Sequence, residues 1–281
     1  MGLADIAASV GRRSSTSAVD VVDVITFIES TWGLDLRLYP VQRIILKAHY
    51  GMALDDNPLG IPLDVPVDQT HPNWDDAWAD HLDDEGLYKW RIVVTDFRRE
   101  NTQYTTEAGY LRFLHDEGRC NIREVIPGKQ RREMVLSVGR RSGKTLITSC
   151  IVAYENYKLL LLGNPQKHYG SSQSNVIQLI SVATDRDQAG LLYREASGHF
   201  TKCDFFKPYA ANATQSFATF QTPFDIERYG SYADNQKARF SINVTFRSCV
   251  AKGLRGGANI LVALDEVAHF GDKGQASADE V

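Results

Sequence analysis

The tripeptide Gly143-Lys144-Thr145 lies between a short apolar run, residues 134–138, and a longer stretch, residues 145–162, with apolar side chains at helical spacing. Strand, glycine turn, then helix is the order that a phosphate-binding loop requires. Glycine lets the chain turn so that backbone N–H groups face an anion, and the helix N-terminus behind the turn adds its positive end. In such a loop Lys144 reaches the β- and γ-phosphates of a nucleotide, and the Thr145 hydroxyl ligates Mg²⁺. Gly139, Ser142 and Gly143 complete the candidate cradle. One departure from G-x-x-x-x-G-K-[ST] stands out. The early glycine position is Val138, and Gly139 comes one residue later.

A second motif lies far downstream. Residues 260–264 are all apolar and lead into Asp265-Glu266. A strand ending in two acids can simply be a strand meeting solvent. Beside a phosphate loop it has a more economical reading. Asp265 binds Mg²⁺ directly or through water, and Glu266 orients and deprotonates the attacking water as general base. The adjacent glutamate marks the ATP-hydrolysing branch of P-loop proteins (ASCE-type). In that branch a further strand lies between the loop strand and the acidic strand.

The rest of the chain fits an α/β fold. Residues 19–30 read as a helix with Val21, Val24, Ile25 and Ile28 on one face. A second helix opens at Pro40 and stops at Gly51. Residues 52–86 are crowded with acids and prolines and read as a surface insertion whose acidic spacing fits no EF-hand. Residues 134–138, 175–183 and 259–264 are expected to be strands, the last two buried on both faces. Thr184 and Asp187 make a capping box for a helix ending near Gly198. Alternation from Phe240 to Phe246 predicts a half-exposed strand. Strands alternating with helices predict a mostly parallel sheet flanked by helices, a P-loop NTPase. The expected division is a flexible N-terminus over 1–17, a helical region with the insertion over 18–130, and the P-loop core over 131–281.

Composition narrows the class little. Hydrophobic residues are 43% and charged residues 23%, ordinary for a globular protein. The net charge of −4 argues against a passive nucleic-acid coat, though a motor needs only a local basic surface. No apolar run approaches the ~20 residues that span a bilayer, so no membrane association is expected. None of the four cysteines forms a C-x-x-C pair, and reduced thiols are expected.

Several stretches together resemble one family. Leu38-Tyr39-Pro40-Val41-Gln42-Arg43 is similar to the adenine-binding glutamine motif of tailed-phage large terminases. Gly139-Arg140-Arg141-Ser142-Gly143-Lys144-Thr145 resembles their arginine-bearing phosphate loop, which often lacks the early glycine. Gly253-Leu254-Arg255-Gly256, Asp265-Glu266-Val267-Ala268 and Val182-Ala183-Thr184 with Gln188-Ala189 look like terminase sequence as well. The resemblance covers about residues 36–50 and 134–270. It implies an ATP- and Mg²⁺-dependent DNA-packaging ATPase in the host cytoplasm. Gln42 would select adenine, and Arg140 or Arg141 would stabilise charge on the transferred phosphoryl group. The implied partners are double-stranded DNA, a portal protein, a small terminase subunit and further copies of the chain in a ring. The C-terminal strands and the nuclease domain of that family are expected to be missing, so no DNA cleavage is expected from this polypeptide.

Two other readings compete. A helicase-like ATPase also carries an upstream glutamine, a G-K-T loop and a D-E box, but it needs a second domain of the same kind. A fragment that binds nucleotide without turnover is the reading outside catalysis.

Overall fold

The computed structural model describes residues 21–54, 92–95, 102–139, 142–183, 186–214, 216–248 and 258–265. In chain order its elements begin with helices α1 (Val24–Glu29) and α2 (Pro40–Tyr50), strands β1 (Ile92–Thr95) and β2 (Thr102–Thr105), and helix α3 (Glu107–Asp116). Then come α4 (Lys144–Leu161), a single turn α5 (Pro165–His168), β3 (Ile177–Ala183) and α6 (Arg186–Lys202). The last are β4 (Ala210–Ala213), β5 (Phe217–Phe220), α7 (Pro223–Tyr229), β6 (Ile242–Ser248) and β7 (Ala258–Leu264). The chain forms two compact units, residues 1–36 with 137–281, and residues 37–136. The acidic stretch 55–86 lies outside the described residues, as does the expected flexible N-terminus.

In the smaller unit α2 has the bounds expected from Pro40 and Gly51. Gly51 takes φ 66, and a Cβ there would meet the Lys129 backbone at 2.5 Å. Thr106 caps α3 by accepting from the Gly109 N–H. Lys47 and Glu107, each about 5% exposed, pair at 2.6 Å and tie α2 to α3. β1 and β2 form an antiparallel hairpin.

The larger unit holds the sheet, in the order β4-β5-β6-β3-β7. β3 pairs in parallel with both β6 and β7, whereas β4 and β5 are antiparallel. The sheet is thus mixed, with a parallel trio beside a hairpin that the sequence reading did not foresee. β3 is buried along nearly its whole length, as its apolar run requires. Helix α4 is apolar on several faces and forms a core helix rather than a surface one. Ile147, Val152, Ala153, Leu159 and Leu160 are almost fully enclosed. Its Tyr157 stacks on Phe27 of α1 at 4.5 Å, and its Tyr154 hydroxyl donates to the Val22 carbonyl. So α1, grouped by sequence with the helical region that follows it, packs instead on the P-loop helix.

Three further expectations are corrected. Residues 134–138 form no strand. Val135 is 95% exposed, and the run pairs with no described strand; apolar character without a partner ladder does not make a strand. β7 is not buried on both faces. Ile260, Val262 and Leu264 are 37–45% exposed, because among the described residues β7 pairs on the β3 side alone. Helix α6 runs past Gly198 to Lys202, since the extra turn buries Phe200 against Phe206 and Phe220 at 5.1 and 4.9 Å.

Candidate nucleotide-binding site

The site forms where β7 ends and α4 begins. Gly143 sits just ahead of α4 at φ 79 and ψ 18, a left-handed conformation that costs any residue with a Cβ. The chain therefore needs glycine at 143. A Cβ at Gly139, by contrast, would meet nothing within 4 Å, and Val138 is not at positive φ, so neither position demands glycine in this conformation. Helix α4 starts at Lys144 with its first N–H groups turned toward the loop, as an anion site needs.

β7 carries Asp265 to the same place. The Asp265 N–H donates to the Val182 carbonyl at 2.8 Å, which continues the β3–β7 ladder by one rung and fixes the carboxylate's root. From there Asp265 Oδ1 lies 3.5 Å from Lys144 Nζ, both side chains being partly exposed. The two halves of the nucleotide motif, far apart in sequence, meet in space. Thr145, Thr148 and Leu192 close the recess around them, together with Ala263 and Leu264. The recess encloses about 30 Å³. That is the room of a water or a metal ion rather than of a nucleotide, which takes several hundred Å³. It is the corner of the site where Mg²⁺ and the terminal phosphate would lie.

The residues fit Mg²⁺ there. Thr145 supplies a hydroxyl and Asp265 a carboxylate within one recess, hard oxygen donors for a cation that keeps several waters and takes the rest from phosphate. No group of three His, Cys, Asp or Glu side chains able to hold a metal occurs among the described residues. A P-loop metal needs none. Thr148 was not singled out from sequence, although one helical turn from Lys144 placed it on the same face; its hydroxyl donates to the Lys144 carbonyl at 2.9 Å.

Ser142 is exposed ahead of Gly143. Arg140, Arg141, Arg255 and Glu266 lie outside the described residues. Gln42 belongs to the smaller unit, 6% exposed at the first turn of α2. Its Oε1 accepts from the Tyr39 N–H at 2.9 Å, so it caps its own helix and keeps its amide N–H groups for other partners.

Behind the site, α4 is tied to α6 by one buried polar contact. The Ser149 hydroxyl donates to the Leu146 carbonyl and lies 3.0 Å from His199 Nε2. With its proton committed, the hydroxyl accepts from Nε2–H. Burial holds the His199 pKa below its usual value, with Glu195 acting in the opposite sense. Cys150, on the same helix, is pushed up to about 12 by burial. It is an inert core thiol, not a nucleophile. Cys120, Cys150 and Cys203 are free.

A glycine turn at positive φ, a lysine at the helix start and an aspartate at a parallel strand's end define a P-loop NTPase domain. The family model described as "Uncharacterized protein MJ0330, N-terminal P-loop domain" matches residues 122–280, more than half of the chain, and the chain belongs to that family. No curated protein and no solved structure matches it significantly. Among the described residues no helix is long and apolar enough to cross a membrane.

Proposed function

We propose that this chain hydrolyses ATP at the Lys144–Asp265 site and couples the cycle to movement of double-stranded DNA, as the large terminases it resembles do. The single observation that supports hydrolysis best is the approach of Lys144 Nζ to Asp265 Oδ1 at 3.5 Å, at the C-terminal ends of the parallel strands β3 and β7. An ammonium and a carboxylate held together there are poised to part when a polyphosphate enters. Lys144 then turns to the β/γ-oxygens, and Asp265 and Thr145 take the magnesium side. Magnesium, when bound, neutralises charge on those oxygens. Glu266 follows Asp265 directly and serves as the base that takes the proton of the attacking water. Arg140 or Arg141, in the loop itself, stabilises charge on the phosphoryl group. Gln42 offers an amide to the adenine edge.

DNA movement rests on the motif resemblance, not on the geometry of the recess. It calls for a portal protein, a small terminase subunit and a ring of copies as partners, in the host cytoplasm. A helicase-like ATPase would share the hydrolytic residues and would be stimulated by single strands rather than by duplex.

The first test is binding. Lys144→Ala removes the main side-chain partner of the β/γ-phosphates and should abolish or severely weaken binding of a fluorescent ATP analogue. Unchanged affinity would remove the basis of the assignment. Stimulation of turnover by duplex DNA then separates the motor reading from a fragment that only binds.

A further inference from the structure

The larger unit contains a second groove, at the opposite end of its sheet. β3 and β6 start side by side, with Ile177 opposite Ile242. Val176 and Phe240, just ahead of those residues, line the groove. Lys144 and Asp265 lie beyond the other end of the parallel strands. Seven residues at ~3.3 Å each put the two places about 20 Å apart. The groove holds about 510 Å³ between the β4–β5 hairpin and the segment leading into β6.

Its charge is one-sided. Lys237 and Arg239 are the charged residues of the lining, and no acid belongs to it. Neither cation is in an ion pair among the described residues. Arg239 rests against the Tyr229 ring at 6.0 Å, and its Nη2 is shielded from solvent without a hydrogen-bond partner among the described residues. A shielded guanidinium donor of this kind is costly until an acceptor, best an anionic oxygen, reaches it. Half-buried aromatic rings share the same walls: Phe217, Tyr232 and Phe240.

The groove is also preformed. Gln221, 1% exposed, donates from Nε2 to the Gly230 and Arg239 carbonyls at 3.0 and 2.9 Å, and its Oε1 accepts from the Tyr232 N–H at 2.5 Å. One enclosed amide thus pins the backbone of an aromatic residue and of a cation. Below it, the buried Asp225 carboxylate accepts from Ser241 at 2.8 Å and holds the entry to β6. Ordering costs that a mobile loop would meet on binding are already met here.

We propose that this groove binds single-stranded nucleic acid. Lys237 and Arg239 contact backbone phosphates, and the rings of Tyr232, Phe217 and Phe240 offer faces to unstacked bases. Cations interleaved with aromatic rings suit a strand whose bases are free. Duplex DNA keeps its bases stacked on each other and would use only the cations. An acidic peptide would likewise leave the rings without planar partners. The site is separate from the ATP site and does not rest on hydrolysis there.

The test uses the full chain and a short fluorescein-labelled oligothymidylate at low salt, read by anisotropy. The oligonucleotide should bind. Lys237→Glu, a change at an exposed side chain, should weaken it about tenfold and reduce the salt slope by roughly 0.7. Lys237→Arg should restore it. Tyr232→Ala should weaken it about five- to hundredfold. Each variant should keep the wild-type melting temperature and bind the fluorescent ATP analogue as before. Should Tyr232→Ala melt early, the two Lys237 variants decide alone. Absence of binding, equal binding by wild type and Lys237→Glu, tighter binding of duplex than of single strand, or full competition by thymidine monophosphate would each overturn the proposal.

Discussion

Asn156 lies in the middle of α4 with 0% of its surface exposed. Neither of its side-chain amide atoms has a hydrogen-bond partner among the described residues. Replacing it by alanine should stabilise the protein. An unmade buried hydrogen bond costs ~1–3 kcal/mol per group, so the two atoms together cost about 2–6 kcal/mol. Alanine leaves a void, and at ~24 cal/mol per Å³ a void of about 40 Å³ costs about 1 kcal/mol. Alanine also favours the helix over asparagine by several tenths of a kcal/mol, ~0.6. The balance is a gain of about 2 kcal/mol even at the low end. At ~2–4 °C per kcal/mol for a unit of this size, the melting temperature should rise by about 4–8 °C. Urea unfolding gives the cleaner reading, a higher midpoint at unchanged m-value. Asn156→Asp is the control, since a carboxylate in the same place should destabilise by several kcal/mol or be held protonated. A midpoint that falls in Asn156→Ala would refute the reasoning. It would mean that the amide has partners, a buried water or a segment outside the described residues.

Three more outcomes follow from named contacts. The His199 pKa is lowered by burial, so the unfolded chain binds the proton more readily. Stability should be fully present above about pH 6.5 and fall as the pH drops below it, and a His199→Gln protein, compared by urea midpoint across that range, should lose most of this slope. Gln42→Ala should narrow the preference for ATP over GTP in competition binding, because the amide offers adenine both a donor and an acceptor. It should also cost about 1 kcal/mol of stability through the lost Tyr39 contact, whereas an unchanged nucleotide preference would leave Gln42 as a helix cap and nothing more. Lys144→Ala, besides losing the ATP analogue, should leave the melting temperature within about 1 kcal/mol of wild type in stability terms, since its contact with Asp265 is partly exposed.

How far the sequence could be read depended on whether the signal was local. Pro40 and Gly51 are local backbone constraints, and α2 has the bounds they dictate. Gly143-Lys144-Thr145 before an apolar helix and Asp265 after an apolar strand are local too, and the fold brings Lys144 and Asp265 together. Burial of a strand is different, because it depends on neighbours. Residues 134–138 and β7 have equally apolar sequences. The first pairs with nothing described, and the second pairs on one side alone among the described residues, with Val262 45% exposed. The β4–β5 hairpin escaped because its segments are short and β4, three alanines and an asparagine, is mostly exposed and has no β-branched or aromatic residue. The segment before β6 had no periodicity to mark it either. Much of its order comes from one buried glutamine, Gln221, whose three hydrogen bonds reach residues 230, 232 and 239. A network of that kind leaves no spacing rule in the sequence.

Steady-state turnover of Glu266→Gln beside its nucleotide affinity bears most directly on the claim that this chain hydrolyses ATP. The amide keeps the shape of the side chain but cannot accept a proton from water. The variant should bind the fluorescent ATP analogue like wild type, in a manner still abolished by Lys144→Ala, while its rate of phosphate release falls by about 10²–10⁴. Phosphate release at the wild-type rate by Glu266→Gln would contradict the assignment of the base, and with it the hydrolytic mechanism proposed for the Lys144–Asp265 site.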